Sequence, residues 1–104
     1  MSQIGEQPNP FSAKKLEGGG RISVGVTPVA VSFASEIRSV LITADDDNTA
    51  RLFIGLSGVA SDGSNAFTYL NGGDDISIDY NDCNGEIYVV AAADGQCFWK
   101  GGAL

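Results

Sequence analysis

From Arg21 onward, apolar and polar residues alternate with a period of two. Ile22, Val24 and Val26 share one parity, and Arg21, Ser23 and Gly25 the other. Beyond Thr27-Pro28 the alternation resumes with Val29, Val31 and Phe33. Residues 51–56 place Leu52, Ile54 and Leu56 on one face, and Ile76, Ile78 and Tyr80 alternate with Ser77 and Asp79. Residues 39–43 form an apolar run around Val40, Leu41 and Ile42. Residues 86–92 are apolar without alternation, which predicts a strand covered on both faces. Residues 96–101 set Cys97 and Trp99 opposite Phe98 and Lys100. These are seven strand candidates, with an eighth at Ala66–Leu70.

Turn-forming residues separate them: Asp45-Asp46-Asp47-Asn48, Ser61-Asp62-Gly63-Ser64-Asn65, Asn71-Gly72-Gly73-Asp74, Asn81-Asp82-Cys83-Asn84-Gly85 and Asp94-Gly95. Each offers residues that accept positive φ or hydrogen-bond their own backbone. The expected fold is all-β, an antiparallel β-sandwich or jelly-roll-like barrel of seven or eight short strands. One helical turn around residues 34–38 is the local rival. Residues 86–92 and 96–101 are expected to form a hairpin turning at Asp94-Gly95.

The first twenty residues follow no such pattern. They contain Pro8, Asn9, Pro10 and Gly18-Gly19-Gly20, with Met1, Ile4, Phe11 and Leu16 as the only large apolar groups. The expectation is an extended arm over residues 1–20 ending in a glycine hinge, followed by a domain over residues 21–104. Phe11 and Leu16 are its candidate anchors to a partner, with Lys14 and Lys15 as charge contacts. No basic and apolar leader pattern follows Met1, so no secretory signal is expected; a mature secreted form stays open as an alternative to the complete chain that an initiator-like Met1 suggests.

With 104 residues there is material for one domain. Thirteen acidic against six basic side chains leave a net charge of −7. Residues 1–20 are neutral, so all of it belongs to residues 21–104, which carry eleven acidic and four basic groups. That balance argues against nucleic acid and anionic membranes as partners. The chain has no histidine, which removes the commonest general base, the commonest metal ligand and any Ser-His or Cys-His pair. No enzymatic activity and no cofactor are expected.

Carboxylates are the only abundant reactive groups. Asp45, Asp46 and Asp47 are consecutive, and Asp74, Asp75, Asp79 and Asp82 cluster downstream. A calcium loop needs oxygen ligands at alternate positions followed by glycine. The run from Asp79 breaks that pattern at Cys83 and Asn84, and the run from Asp45 lacks the glycine. Turn formation and solubility are the expected roles, with no metal site. The two cysteines, Cys83 and Cys97, are expected to be free thiols. In the expected hairpin they lie about 30 Å apart at ~3.4 Å per residue, beyond the ~7 Å a disulfide tolerates. Trp99, Phe98, Tyr69, Tyr80 and Tyr88 are candidates for a sugar-stacking platform, although Phe98 and Trp99 must point to opposite faces.

The segments Gly19-Gly20-Arg21-Ile22-Ser23-Val24, residues 39–49, Leu52-Phe53-Ile54-Gly55, residues 70–78 and residues 86–92 together resemble small β-sandwich virion proteins of tailed bacteriophages, of the capsid decoration or cement type. The resemblance spans residues 19–101 and carries no active-site residue. It implies a structural protein that binds and stabilises the head shell, with the major capsid protein as partner. It further implies a homo-oligomer, a trimer among the options, on the capsid surface after synthesis in the host cytoplasm. The alternatives are a carbohydrate- or receptor-binding module and a tail, neck or baseplate component.

Overall fold

The computed structural model describes residues 16–34, 36–79 and 86–103. They form eight antiparallel strands: β1 (Leu16–Val24), β2 (Val29–Val31), β3 (Ser39–Ala44), β4 (Leu52–Gly55), β5 (Ala66–Leu70), β6 (Asp75–Asp79), β7 (Ile87–Ala91) and β8 (Gln96–Ala103). Two four-stranded sheets result, one in the order β1-β8-β3-β6 and the other β2-β7-β4-β5. The all-β sandwich expected from the alternation is therefore present, and among the described residues there is no helix.

The strand order has a simple generator. The chain pairs β1 with β8, β2 with β7, β3 with β6 and β4 with β5, as one long hairpin folded at its middle would. Successive rungs of that hairpin are laid into alternate sheets, which is the jelly-roll arrangement. Rolling brings β8 beside β3 and β7 beside β4, closing each sheet at its centre.

Inward parity supplies the core. Val24, Val31, Val40, Ile42, Leu52, Ile54, Ile87, Val89, Ala91 and Phe98 are buried between the sheets. Val90 has the opposite parity and is still fully buried, because β7 lies between β2 and β4 and pairs Val90 with Phe53. That accounts for the unbroken apolar run in residues 86–92. Gly102 sits where β8 passes beneath Ile37. A Cβ there would stand 3.0 Å from Ile37 Cδ1 and 3.2 Å from Phe33 Cε1.

Three expectations need correction. The hairpin between residues 86–92 and 96–101 does not form, since β7 and β8 belong to different sheets. Asp94-Gly95 is a tight turn, with Gly95 at φ 84°, but it carries the chain across the sandwich. The supposed glycine hinge is inside β1: Gly18 pairs with Gly101 and Gly20 with Lys100, with a register shift between them. Gly19 is bare there because the Lys100 side chain crosses it; a Cβ on Gly19 would run into Lys100 Cγ. Ladder pairing thus begins at Leu16, five residues before the expected boundary. Leu56, expected to share the core face of Leu52 and Ile54, lies beyond the end of β4 and is 59% exposed.

Candidate functional site

The β1–β2, β3–β4, β5–β6 and β7–β8 connections share one end of the sandwich, because alternate connections of a rolled hairpin must. This end gathers Asp45, Asp46, Asp47, Asp74, Asp75 and Asp94, all of them turn or strand-end residues. Asp45 is buried and fully engaged. Its Oδ1 accepts the Asp47 N–H at 2.9 Å, and its Oδ2 accepts Arg21 Nε at 2.7 Å. The Asp47 N–H, then Arg21, hold its carboxyl below the usual carboxylate value, and the Trp99 indole adds to this. The same partnership raises the Arg21 guanidinium.

Asn48 continues the sheet past the end of β3. Its carboxamide donates to the Cys97 carbonyl and accepts the Cys97 N–H, both at 2.8 Å, as a paired strand residue would. Gln96 is buried and uses both ends of its amide. Oε1 accepts from the Thr49 and Ala50 N–H groups at 2.7 and 3.1 Å. Nε2 donates to the Asp94 carbonyl at 2.9 Å and to Thr49 Oγ1 at 3.3 Å. Asp94 Oδ1 in turn accepts the Val26 N–H at 3.0 Å. These acidic turns are thus built around hydrogen bonds to the protein itself. Among the described residues no three His, Cys, Asp or Glu side chains stand where they could hold a metal ion.

Large side chains are exposed both at this end, where Val26 in the β1–β2 connection is 47% exposed, and along the outer faces of the sheets. Phe67 and Tyr69 project from the outer face of β5, 54% and 47% exposed. Tyr69 pairs with Phe53 across the ladder. The Arg51 guanidinium lies 4.4 Å from the centre of the Tyr69 ring, and Arg51 Nε donates to Asn71 Oδ1 at 3.3 Å. Thr68, Tyr69, Asp74 and Asp75 line an open cleft of about 460 Å³ where β5 and β6 face each other across the seam. At the far end of that seam, Leu56, Phe67, Ile78, Glu86 and Ile87 line an apolar hollow of about 250 Å³. Trp99 stands half-exposed on the other sheet, beside Arg21 and Thr43.

The expected aromatic platform is accordingly divided. Trp99 and Tyr69 occupy different sheets, Phe98 is core, Tyr88 is half-buried, and Tyr80 lies outside the described residues. Of the arm contacts, Phe11, Lys14 and Lys15 lie outside the described residues, and Leu16 opens β1 opposite Ala103. Cys97 is a free thiol, while Cys83 lies outside the described residues. The exposed face that sequence reading passed over is Phe67 with Leu56. The available signal was the parity of Phe67, which opposes Leu70.

Comparison with known proteins adds no relative: no family model, curated protein or solved structure matches the chain.

Proposed function

We propose that the chain is a non-enzymatic structural subunit of a tailed-phage virion, a cement protein that sits on the head and binds the major capsid protein. The supporting observation is a small jelly roll whose buried polar groups serve its own turns while Leu56, Phe67, Tyr69 and Trp99 break the surface. Exposed apolar side chains on a rigid body suit protein contact. The arm residues Phe11, Lys14, Lys15 and Leu16 are the proposed attachment contacts. The reading also rests on the resemblance noted for residues 19–101.

The test is to purify heads and tails separately and locate the chain by mass spectrometry. Presence on heads at a fixed copy ratio to the major capsid protein is expected. Its absence from heads would overturn the cement role, and presence in the tail fraction would assign it to the tail, neck or baseplate. A chain lacking residues 1–15 keeps all of β1 and is expected to fold without binding heads; normal binding would remove the arm from the account.

A second reading, a carbohydrate-binding module, is favoured by one place. Tyr69, stacked on Arg51, borders the cleft that also presents Thr68, Asp74 and Asp75, a combination of ring face and polar oxygens suited to a sugar. A glycan array probed with the full chain and with Tyr69→Ala decides it.

A further inference from the structure

We infer that Asn71-Gly72, in the turn between β5 and β6, is a site of self-modification. The Gly72 backbone nitrogen attacks the Asn71 carboxamide, a succinimide closes and water opens it to an acid, while Arg51 assists by holding the carboxamide oxygen. Water is the sole co-reactant, and the step depends on neither reading of the function.

The turn leaves its nucleophile open. The Asp74 N–H donates to the Asn71 carbonyl at 3.0 Å, which closes a β-turn from Asn71 to Asp74. The Asn71 N–H donates to Asp74 Oδ2 at 3.0 Å. Gly73, at φ 89°, sends its N–H to the Ala44 carbonyl at 3.0 Å. Gly72 is the exception: its N–H has no acceptor among the described residues. Gly72 and Asn71 are both exposed. No side chain screens the Gly72 nitrogen, and the packing keeps the position bare, since a Cβ there would stand 3.2 Å from the Asp45 and Asn48 carbonyl oxygens.

The electrophile is held from the other side. Arg51 Nε donates to Asn71 Oδ1 at 3.3 Å, and the Arg51 guanidinium is itself placed over the Tyr69 ring, 4.4 Å from its centre. A guanidinium only donates, so this bond sets the carboxamide with its oxygen towards Arg51 and its nitrogen, the leaving group, away from it. A donor on that oxygen stabilises the negative charge that develops there when the carbon is attacked.

The bond from Gly72 N to Asn71 Cγ forms as the Cγ–Nδ2 bond breaks, and the proton of the Gly72 N–H leaves with Nδ2 as ammonia. Water then opens the ring. Attack at Cγ gives aspartate at position 71, and attack at the main-chain carbonyl carbon gives isoaspartate, whose backbone runs through Cγ. Either product adds one negative charge to the −7 of the chain. The new carboxylate lies beside Arg51, next to the cleft lined by Thr68, Tyr69, Asp74 and Asp75. Isoaspartate also lengthens the main chain within the turn that leads into β6.

The full chain is held at neutral pH and sampled over time. Peptide mapping by mass spectrometry locates the conversion and separates Asn71-Gly72 from Asn84-Gly85, which lies outside the described residues. Methylation by an isoaspartate-specific methyltransferase identifies the product. Conversion at Asn71 is expected. Arg51→Ala, at an exposed position, is expected to slow it about tenfold, less than the ~10²–10³ lost with a donor in a water-excluded site. Circular dichroism checks that the variant keeps the β-sheet signal of the parent. In urea, where the fold no longer holds Arg51 against Asn71, the parent and variant are expected to convert at the same rate. A folded chain that keeps Asn71 intact while the urea-unfolded chain converts overturns the proposal. So does an Arg51→Ala chain that converts as fast as the parent, or a difference between the two that persists in urea.

Discussion

Gln96→Leu tests the reading that the acidic end is built as structure. Gln96 is 4% exposed, at the first position of β8 and opposite Val24. Leucine keeps most of its volume and removes four hydrogen bonds at once, those to the Thr49 N–H, Ala50 N–H, Asp94 carbonyl and Thr49 hydroxyl. Two backbone N–H groups then lose their acceptor. A stranded, fully buried donor costs ~1–3 kcal/mol. Thr49 is exposed and Ala50 half-buried, so water recovers part of this. The expected loss is about 2–4 kcal/mol, a large share of the ~5–15 kcal/mol that holds a domain of this size. At ~4–8 °C per kcal/mol the melting midpoint should fall by at least ~8 °C. Thermal and urea melts followed by circular dichroism measure this. Gln96→Glu separates the two halves of the amide, since it keeps acceptors for Thr49 and Ala50 and loses the donor to Asp94. A Gln96→Leu midpoint within ~2 °C of the parent would refute the reasoning, because the loop would then be holding itself.

Asp45 makes stability depend on acid. Its folded-state carboxyl titrates below 3.8, so the stability it contributes is present above that value and is lost as the pH falls through the folded one. Urea midpoints taken from about pH 6 to about pH 2 should show a fall in that acid window that Asp45→Asn reduces. Gly102→Ala places a methyl 3.0 Å from Ile37 Cδ1, and should cost about 1–3 kcal/mol in a urea melt. Gly19→Ala drives into the Lys100 stem that crosses it, and should lower the melting midpoint. Lys100→Ala, which removes the stem that crosses Gly19, should recover part of the loss in the double variant.

How far the fold was legible follows from what each signal encodes. Period-two alternation marks which side chains of a strand share a face, and it grouped Val24, Val31, Leu52 and Ile54, all of them core, whereas for Phe98 and Trp99 it said only that they face opposite ways. The unbroken run at residues 86–92 predicted a strand covered on both faces; in β7 Ile87, Val89 and Ala91 are core, while on the outer face Val90 is buried and Tyr88 half-buried. The site was less legible. Asp45, Asn48 and Gln96 look like ordinary turn and strand residues, and nothing local says that Asn48 will pair with Cys97 across forty-nine positions. Phe67 was visible only as a parity, since exposure depends on whether another layer covers that face.

What the order of residues determines here is local: where strands begin, which face is apolar, where the chain can turn, and that most of the negative charge sits at those turns. Strand partnership was decided at tertiary level. Asp94-Gly95 permits a sharp reversal equally well within a sheet or between sheets. The choice fell to β8 pairing with β1 and β3, which puts Phe98 in the core and sets Gly102 close beneath Ile37. The glycines at residues 18–20 show the same division. Their composition allows a hinge, but ladder pairing to β8 and the passage of Lys100 over Gly19 make them part of a strand. Backbone conformation is set by neighbours in sequence. Pairing and burial are set by whatever the rolled chain brings alongside.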